Sequence, residues 1–278
     1  MSKFRGTAAA ALSLLSLFLT AHGARAAEKS APLVIGETFN IASKVLGETR
    51  RINVYMPPGY AESAGVRLPV LYMPDGGIAE DFLHVAGLVQ VSVGNGTMRP
   101  HLLVGIENTE RRRDMTGPTE SEEDRKIAPR VGGSEAFRRF IREELMPEVK
   151  SRYRTTEETA VVGESLAGLF VVETFLAEPD LFDTYIAFDP SLWWNNRKLL
   201  TDAGRRLAAR PALKKTLYFA ASSDMGDLGG QFAEVLARHA PPGVRWHYER
   251  MPEERHSTIY HPAALKAFRA VFPPAAGR

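Results

Sequence analysis

The sequence predicts an α/β fold with a mostly parallel central sheet and helices on both faces. Three observations predict it. Short apolar runs alternate with amphipathic segments from about residue 50 to the C-terminal region. Several of those runs are apolar throughout, the pattern of strands buried on both faces. No linker-like, repetitive or low-complexity stretch divides the chain, and 278 residues suffice for one substantial core.

The elements follow in order. "RRINVYMPPGY" reads as a strand closed by Pro57-Pro58-Gly59, and "RLPVLYMPDGG" as a buried strand ending in a Pro-Asp-Gly-Gly loop. "PHLLVGIEN" is a third strand. Residues 109–133 are polar and rich in charge, glycine and proline, and read as a long functional loop. Ser134 is expected to cap a helix whose face carries Phe137, Phe140, Ile141, Leu145 and Val149, with Pro147 ending or kinking it. "TAVVG" is then a strand and "LAGLFVVETFLAEP" a helix; "YIAFDP" and "TLYFAASSD" are two further strands. "GGQFAEVLARHA" is a helix, "VRWHYERMP" the last strand, and "HPAALKAFRAVF" a closing amphipathic helix.

Residues 1–26 read as a secretory signal peptide. Lys3 and Arg5 precede an apolar run too short for a bilayer span, and "ARA" at 24–26 offers a small-residue cleavage site. The mature chain, residues 27–278, is expected to form a single domain with no integral membrane segment, exported to the periplasm or beyond. There is no cysteine, so disulfides, thiolate metal sites and a cysteine nucleophile are all excluded. A net charge of +2 with mixed signs argues against a nucleic-acid partner. No H-E-x-x-H or similar cluster calls for a metal, and no cofactor is expected.

The chemistry centres on "TAVVGESLAGLF", residues 159–170. A serine between a strand and a helix, flanked at two residues by Gly163 and Ala167, fits a nucleophile elbow. The sharp turn demands small neighbours, and Ala167 is small. Ser165 needs a base. Of seven histidines, His256 lies in a loop after the last strand and before the last helix, as the order serine, acid, histidine requires; His261 directly precedes Pro262 and fits helix entry instead. The acid is expected at Asp224, after "LYFAAS". Asp227 is an alternative, Asp189 lies one strand earlier, and Glu253 and Glu254 adjoin the histidine. The backbone N–H of Leu166 is expected in the oxyanion hole, with a second donor from the Asp75-Gly76-Gly77 loop.

With these residues placed, the chain resembles the putative-esterase branch of the α/β-hydrolase superfamily, which includes siderophore trilactone esterases, the esterase D group and the mycolyltransferase antigens. The resemblance rests on "RINVYMPPGY", "LPVLYMPDGG", "LLVGIENTERRRDMTGP", "FRRFIREELMPEVKSRYRT", "VVGESLAGLF", "FDPSLWW" and "PEERHST", in the expected order over residues 50–260. It is closest to the periplasmic siderophore-esterase-like subgroup. It implies the α/β-hydrolase fold, ester hydrolysis by Ser165 with His256, and Gly77 and Leu166 as oxyanion donors. In that subgroup the triad acid can be weak or missing. Arg112, in the Arg111–Arg113 cluster, is a candidate for holding an anionic substrate group, and Trp193 and Trp194 for lining an acyl or aromatic pocket. The expected partner is a small-molecule ester. The rivals are an acyltransferase working through the same acyl-enzyme and a non-catalytic ligand-binding scaffold.

Overall fold

The structure is a computed structural model and describes residues 30–274; the expected signal peptide lies outside the described residues. One sheet of eight strands runs through the unit that begins at Ile35. The strands are β1 (Glu37–Ser43), β2 (Glu48–Tyr55), β3 (Leu68–Pro74), β4 (Leu102–Ile106), β5 (Thr155–Glu164), β6 (Thr184–Phe188), β7 (Thr216–Ser222) and β8 (Arg245–Met251). Their order across the sheet is β1-β2-β4-β3-β5-β6-β7-β8. The β1–β2 and β2–β4 pairings are antiparallel and the rest parallel, as the mostly parallel reading predicts. β3, β4 and β6 are buried along their whole length, which is why they appear in the sequence as continuous apolar runs.

Helices α1 (Phe82–Gly94) and α9 (Tyr260–Val271) cover one face, packing Val85, Val89, Ala263 and Phe268 against the sheet. The other face carries α6 (Leu166–Ala177), α7 (Trp194–Ala208), α8 (Leu228–His239) and the helical segment 134–152, with a core rich in phenylalanine: Phe137, Phe140, Phe170, Phe175, Phe219 and Phe232.

Pro147 does not end its segment. Helix α4 (Ser134–Phe140) passes through a π-helical turn (Ile141–Leu145) into α5 (Met146–Arg152), whose first turn holds the proline, where its missing N–H is no loss. Ser134 is the first helical residue and Gly133 the cap. The polar stretch 109–133 contains two short helices, α2 (Arg111–Asp114) and α3 (Glu122–Ile127). It is anchored rather than free. Fully buried Arg50 pairs with Asp114 and donates from Nη1 to the Glu107 carbonyl at 3.2 Å, and Arg113 donates to Glu48 at 2.8 Å. Burial pushes the Glu48 carboxyl up, but hydrogen bonds from Arg113 and Thr109 and the charge of Arg50 outweigh it and hold it at about 2. Among the described residues no helix is long and apolar enough to cross a membrane.

The sheet order turns at β3. From β3 the chain moves outward to β4, then returns to place β5 on the opposite side. Such a turning point opens a crevice at the carboxyl ends of the strands. The residues singled out from the sequence gather there.

Candidate active site

Three non-glycine residues at neighbouring strand ends adopt left-handed backbone angles: Asp75 after β3 (φ 57°), Ser165 after β5 (φ 63°) and Asp189 after β6 (φ 40°). Strain of this kind costs about 1–3 kcal/mol per residue and persists only where the surroundings enforce it. At Ser165 the enforcement is visible. Its N–H donates to the Phe188 carbonyl at 3.0 Å, and its own carbonyl accepts from Ser191 and Leu169 at 3.1 and 2.9 Å. A Cβ on Gly163 would lie 2.7 Å from the Ala167 methyl, so glycine is obligatory at 163 and the partner position tolerates only a methyl. The elbow closes with alanine because Gly163 supplies the clearance.

His256, between β8 and α9, reaches Ser165 from the opposite rim. Its Nε2 lies 3.0 Å from Ser165 Oγ, and its Nδ1 lies 3.0 Å from Asp189 Oδ2. Asp189 is almost wholly buried. It also accepts from the backbone N–H and the hydroxyl of Ser222, at 2.6 and 2.5 Å. An ionised carboxylate can only accept, so Nδ1 carries the hydrogen and Nε2 is left to accept from Ser165. The hydrogen bond to Asp189 holds the imidazole above the ordinary histidine range; partial burial opposes this, and the charges of Glu164, Asp189 and Asp224 add to it.

Asp224, expected as the acid, does not meet the His256 ring; Asp189 does. Asp224 is exposed in a 3-10 turn beyond β7, accepts the backbone N–H of His256 at 2.8 Å and pairs with Arg255 at 2.9 Å; it holds the histidine's main chain while Asp189 holds its ring. β6 lies directly beside β5, whereas β7 lies one strand further out. The signal for Asp189 was its place at the end of that adjacent buried strand.

On the other side, Leu166 opens α6 and its N–H has no partner among the described residues. The Gly77 N–H differs from expectation: Glu80 reaches back three residues and accepts it at 2.7 Å. The other Glu80 oxygen accepts the Asn108 N–H at 3.2 Å, which ties the β3–α1 loop to the segment after β4. Arg111, not Arg112, faces this site. Its Nε and Nη2 donate to the two oxygens of Asp75 at 2.7 and 2.8 Å, whereas Arg112 is exposed and without an ion pair among the described residues. The tryptophans divide. Trp194 is buried, donates to the Gly117 carbonyl at 3.0 Å and lines a cavity with Gly117, Pro118, Thr119 and Leu169; Trp193 stays 43% exposed.

Glu164, between the elbow glycine and the serine, was not anticipated. Its Oε1 is buried, has no hydrogen-bond partner among the described residues, and lies 3.3 Å from His256 Nε2. Burial pushes its carboxyl up to about 7. Asp189 and Asp81 add to that, while His256 and Arg111 oppose it. Ligand atoms of Glu164, Asp189 and His256 lie within 4.8 Å of one another, a spacing a metal ion could use. Asp189 is already committed to Ser222 and His256, so the set is better suited to handling protons.

A parallel-sheet scaffold with an elbow serine, a histidine and a buried aspartate at its strand ends has the architecture of an α/β-hydrolase. The chain matches the family described as "Putative esterase" over residues 43–262 and belongs to it; it is a carboxylic ester hydrolase. It is 29% identical over 253 residues to the ferri-bacillibactin esterase BesA of Bacillus subtilis, covering 82% of this chain and 86% of that protein. To the siderophore triacetylfusarinine C esterase of Aspergillus fumigatus it is 29% identical over 191 residues, 62% of this chain and 61% of that one. Among solved structures, an IroE-like serine hydrolase from Shewanella oneidensis superposes with a TM-score of 0.77 at 30% identity, covering 85% of this chain and 80% of the other.

Proposed function

We propose that the chain is an exported serine esterase that cleaves siderophore-type esters through an acyl-enzyme on Ser165. Ser165 gives its proton to His256 Nε2 and attacks the ester carbonyl. Asp189 keeps Nδ1 protonated and stabilises the imidazolium that forms. The Leu166 N–H at the start of α6 receives the oxyanion, and Gly77 joins it by exchanging the Glu80 carboxylate for the substrate oxygen. His256 then protonates the leaving alcohol, and water resolves the acyl-enzyme.

The observation that carries this reading is the unbroken relay from Ser165 Oγ to His256 to Asp189, with 3.0 Å at each step and a strained serine at its head. The substrate class is supported by the relatives named for siderophore esters, and by exposed Trp193 at the start of α7, which suits an aromatic-bearing substrate. Export rests on the signal-peptide reading of residues 1–26.

A fluorophosphonate probe and an iron-loaded catecholate trilactone test it together. The wild type is expected to label stoichiometrically and to hydrolyse the trilactone, and Ser165→Ala to lose both by at least about 10³-fold. Activity retained in Ser165→Ala would overturn the mechanism. Labelling without trilactone turnover, alongside hydrolysis of p-nitrophenyl acetate, would overturn the substrate class alone.

A further inference from the structure

His256 meets a carboxylate on each ring nitrogen. Asp189 faces Nδ1, as in any such relay. Glu164 faces Nε2, the nitrogen that must take the serine's proton, at 3.3 Å against 3.0 Å for Ser165 Oγ. The elbow imposes this approach, since Glu164 is the last residue of β5 and immediately precedes the strained serine. Its Oε1 has no other partner among the described residues. We propose that Glu164 is a positioning residue for His256, competing with Ser165 for the imidazole Nε2 and steadying the imidazolium once Ser165 has given up its proton.

This rests on the serine-esterase reading and adds a proton ledger to it. The groups facing Glu164 are His256 before α9, Asp189 after β6, Asp81 before α1 and Arg111 of α2, with the Tyr260 hydroxyl at the start of α9 feeling its charge in turn. Burial has raised the carboxyl to about 7 and the hydrogen bond to Asp189 has raised the imidazole, and at 3.3 Å the protonation of each group depends on the other. While the pair holds one proton on Nε2, with the Glu164 carboxylate 3.3 Å away, Nε2 cannot accept from Ser165. When the pair releases it to solvent, Nε2 is free. The ionised carboxylate then stands beside the nitrogen that becomes positive as Ser165 attacks. Glu164 therefore moves the acid limb of activity upward and raises the plateau above it.

The raised folded-state affinity of His256 for a proton means activity is lost as pH falls through a value above the ordinary histidine range. In Glu164→Gln the acid limb of kcat/KM is expected to move down by about one pH unit, with a plateau about tenfold lower. A purely structural role would lower the plateau and leave the limb in place. An unmoved limb, or one moved upward, overturns the proposal. Should the glutamine variant not fold, Glu164→Asp retracts the carboxylate by one methylene and is expected to move the limb in the same direction by less. Titration of the His256 ring by NMR in Ser165→Ala, with and without Glu164→Gln, reads the coupling without turnover; equal titration points would contradict it. A wild type inert to the fluorophosphonate probe would instead fail the esterase reading itself.

Discussion

Two aspartates touch the same histidine from adjacent strand ends, and they do different work. Asp189 follows β6, is almost completely buried, and spends its oxygens on the Ser222 N–H, the Ser222 hydroxyl and the His256 ring. Asp224 lies two residues past β7, is exposed, and holds the His256 main chain and Arg255. A carboxylate in a dry pocket acts strongly on the ring it faces, whereas one in solvent is screened. On the proposed mechanism, proximity to the histidine therefore does not identify its acid; the atom touched and the depth do.

That contrast can be broken or sharpened in three steps of decreasing size. Asp189→Asn keeps the shape of the side chain but no longer enforces the Nδ1–H tautomer, and kcat/KM for a p-nitrophenyl ester is expected to fall by about 10³- to 10⁴-fold. Ser222→Ala removes one of the two donors that pin Asp189 and leaves the backbone N–H in place; steady-state kinetics are expected to show about a tenfold loss. Asp224→Asn removes only an exposed charge while its remaining oxygen still accepts the His256 N–H, so the expected change is under about threefold.

That Ser165 and His256 meet was legible because each position is defined locally. The elbow is a matter of backbone sterics written in Gly163, Ser165 and Ala167, and His256 stands in the loop that chain order requires. Asp189 was not selected from sequence because choosing among loop carboxylates needs the sheet order: β6 pairs with β5, and β7 does not. Gly77 lies in the expected loop after β3, but its amide is held by Glu80, a side chain reaching back three residues to the start of a turn. That spacing is present in "GIAE" and is easily passed over beside a glycine-rich loop. Strand β1 escaped notice because it is an edge strand, half exposed along most of its length. Helix α7 did too, because its entry at Asn195, Asn196 and Arg197 is left-handed and polar. Sequence favours Arg112 within the arginine cluster; the turn of α2 instead pairs Arg111 with Asp75 and leaves Arg112 exposed.

The triad Ser165–His256–Asp189 is tested most directly by the rate at which a fluorophosphonate labels Ser165 in Asp189→Asn and Asp224→Asn, measured side by side with the wild type. Labelling is expected to slow by orders of magnitude in Asp189→Asn and to stay near the wild-type rate in Asp224→Asn. Equal slowing in both, or the larger loss in Asp224→Asn, would contradict it.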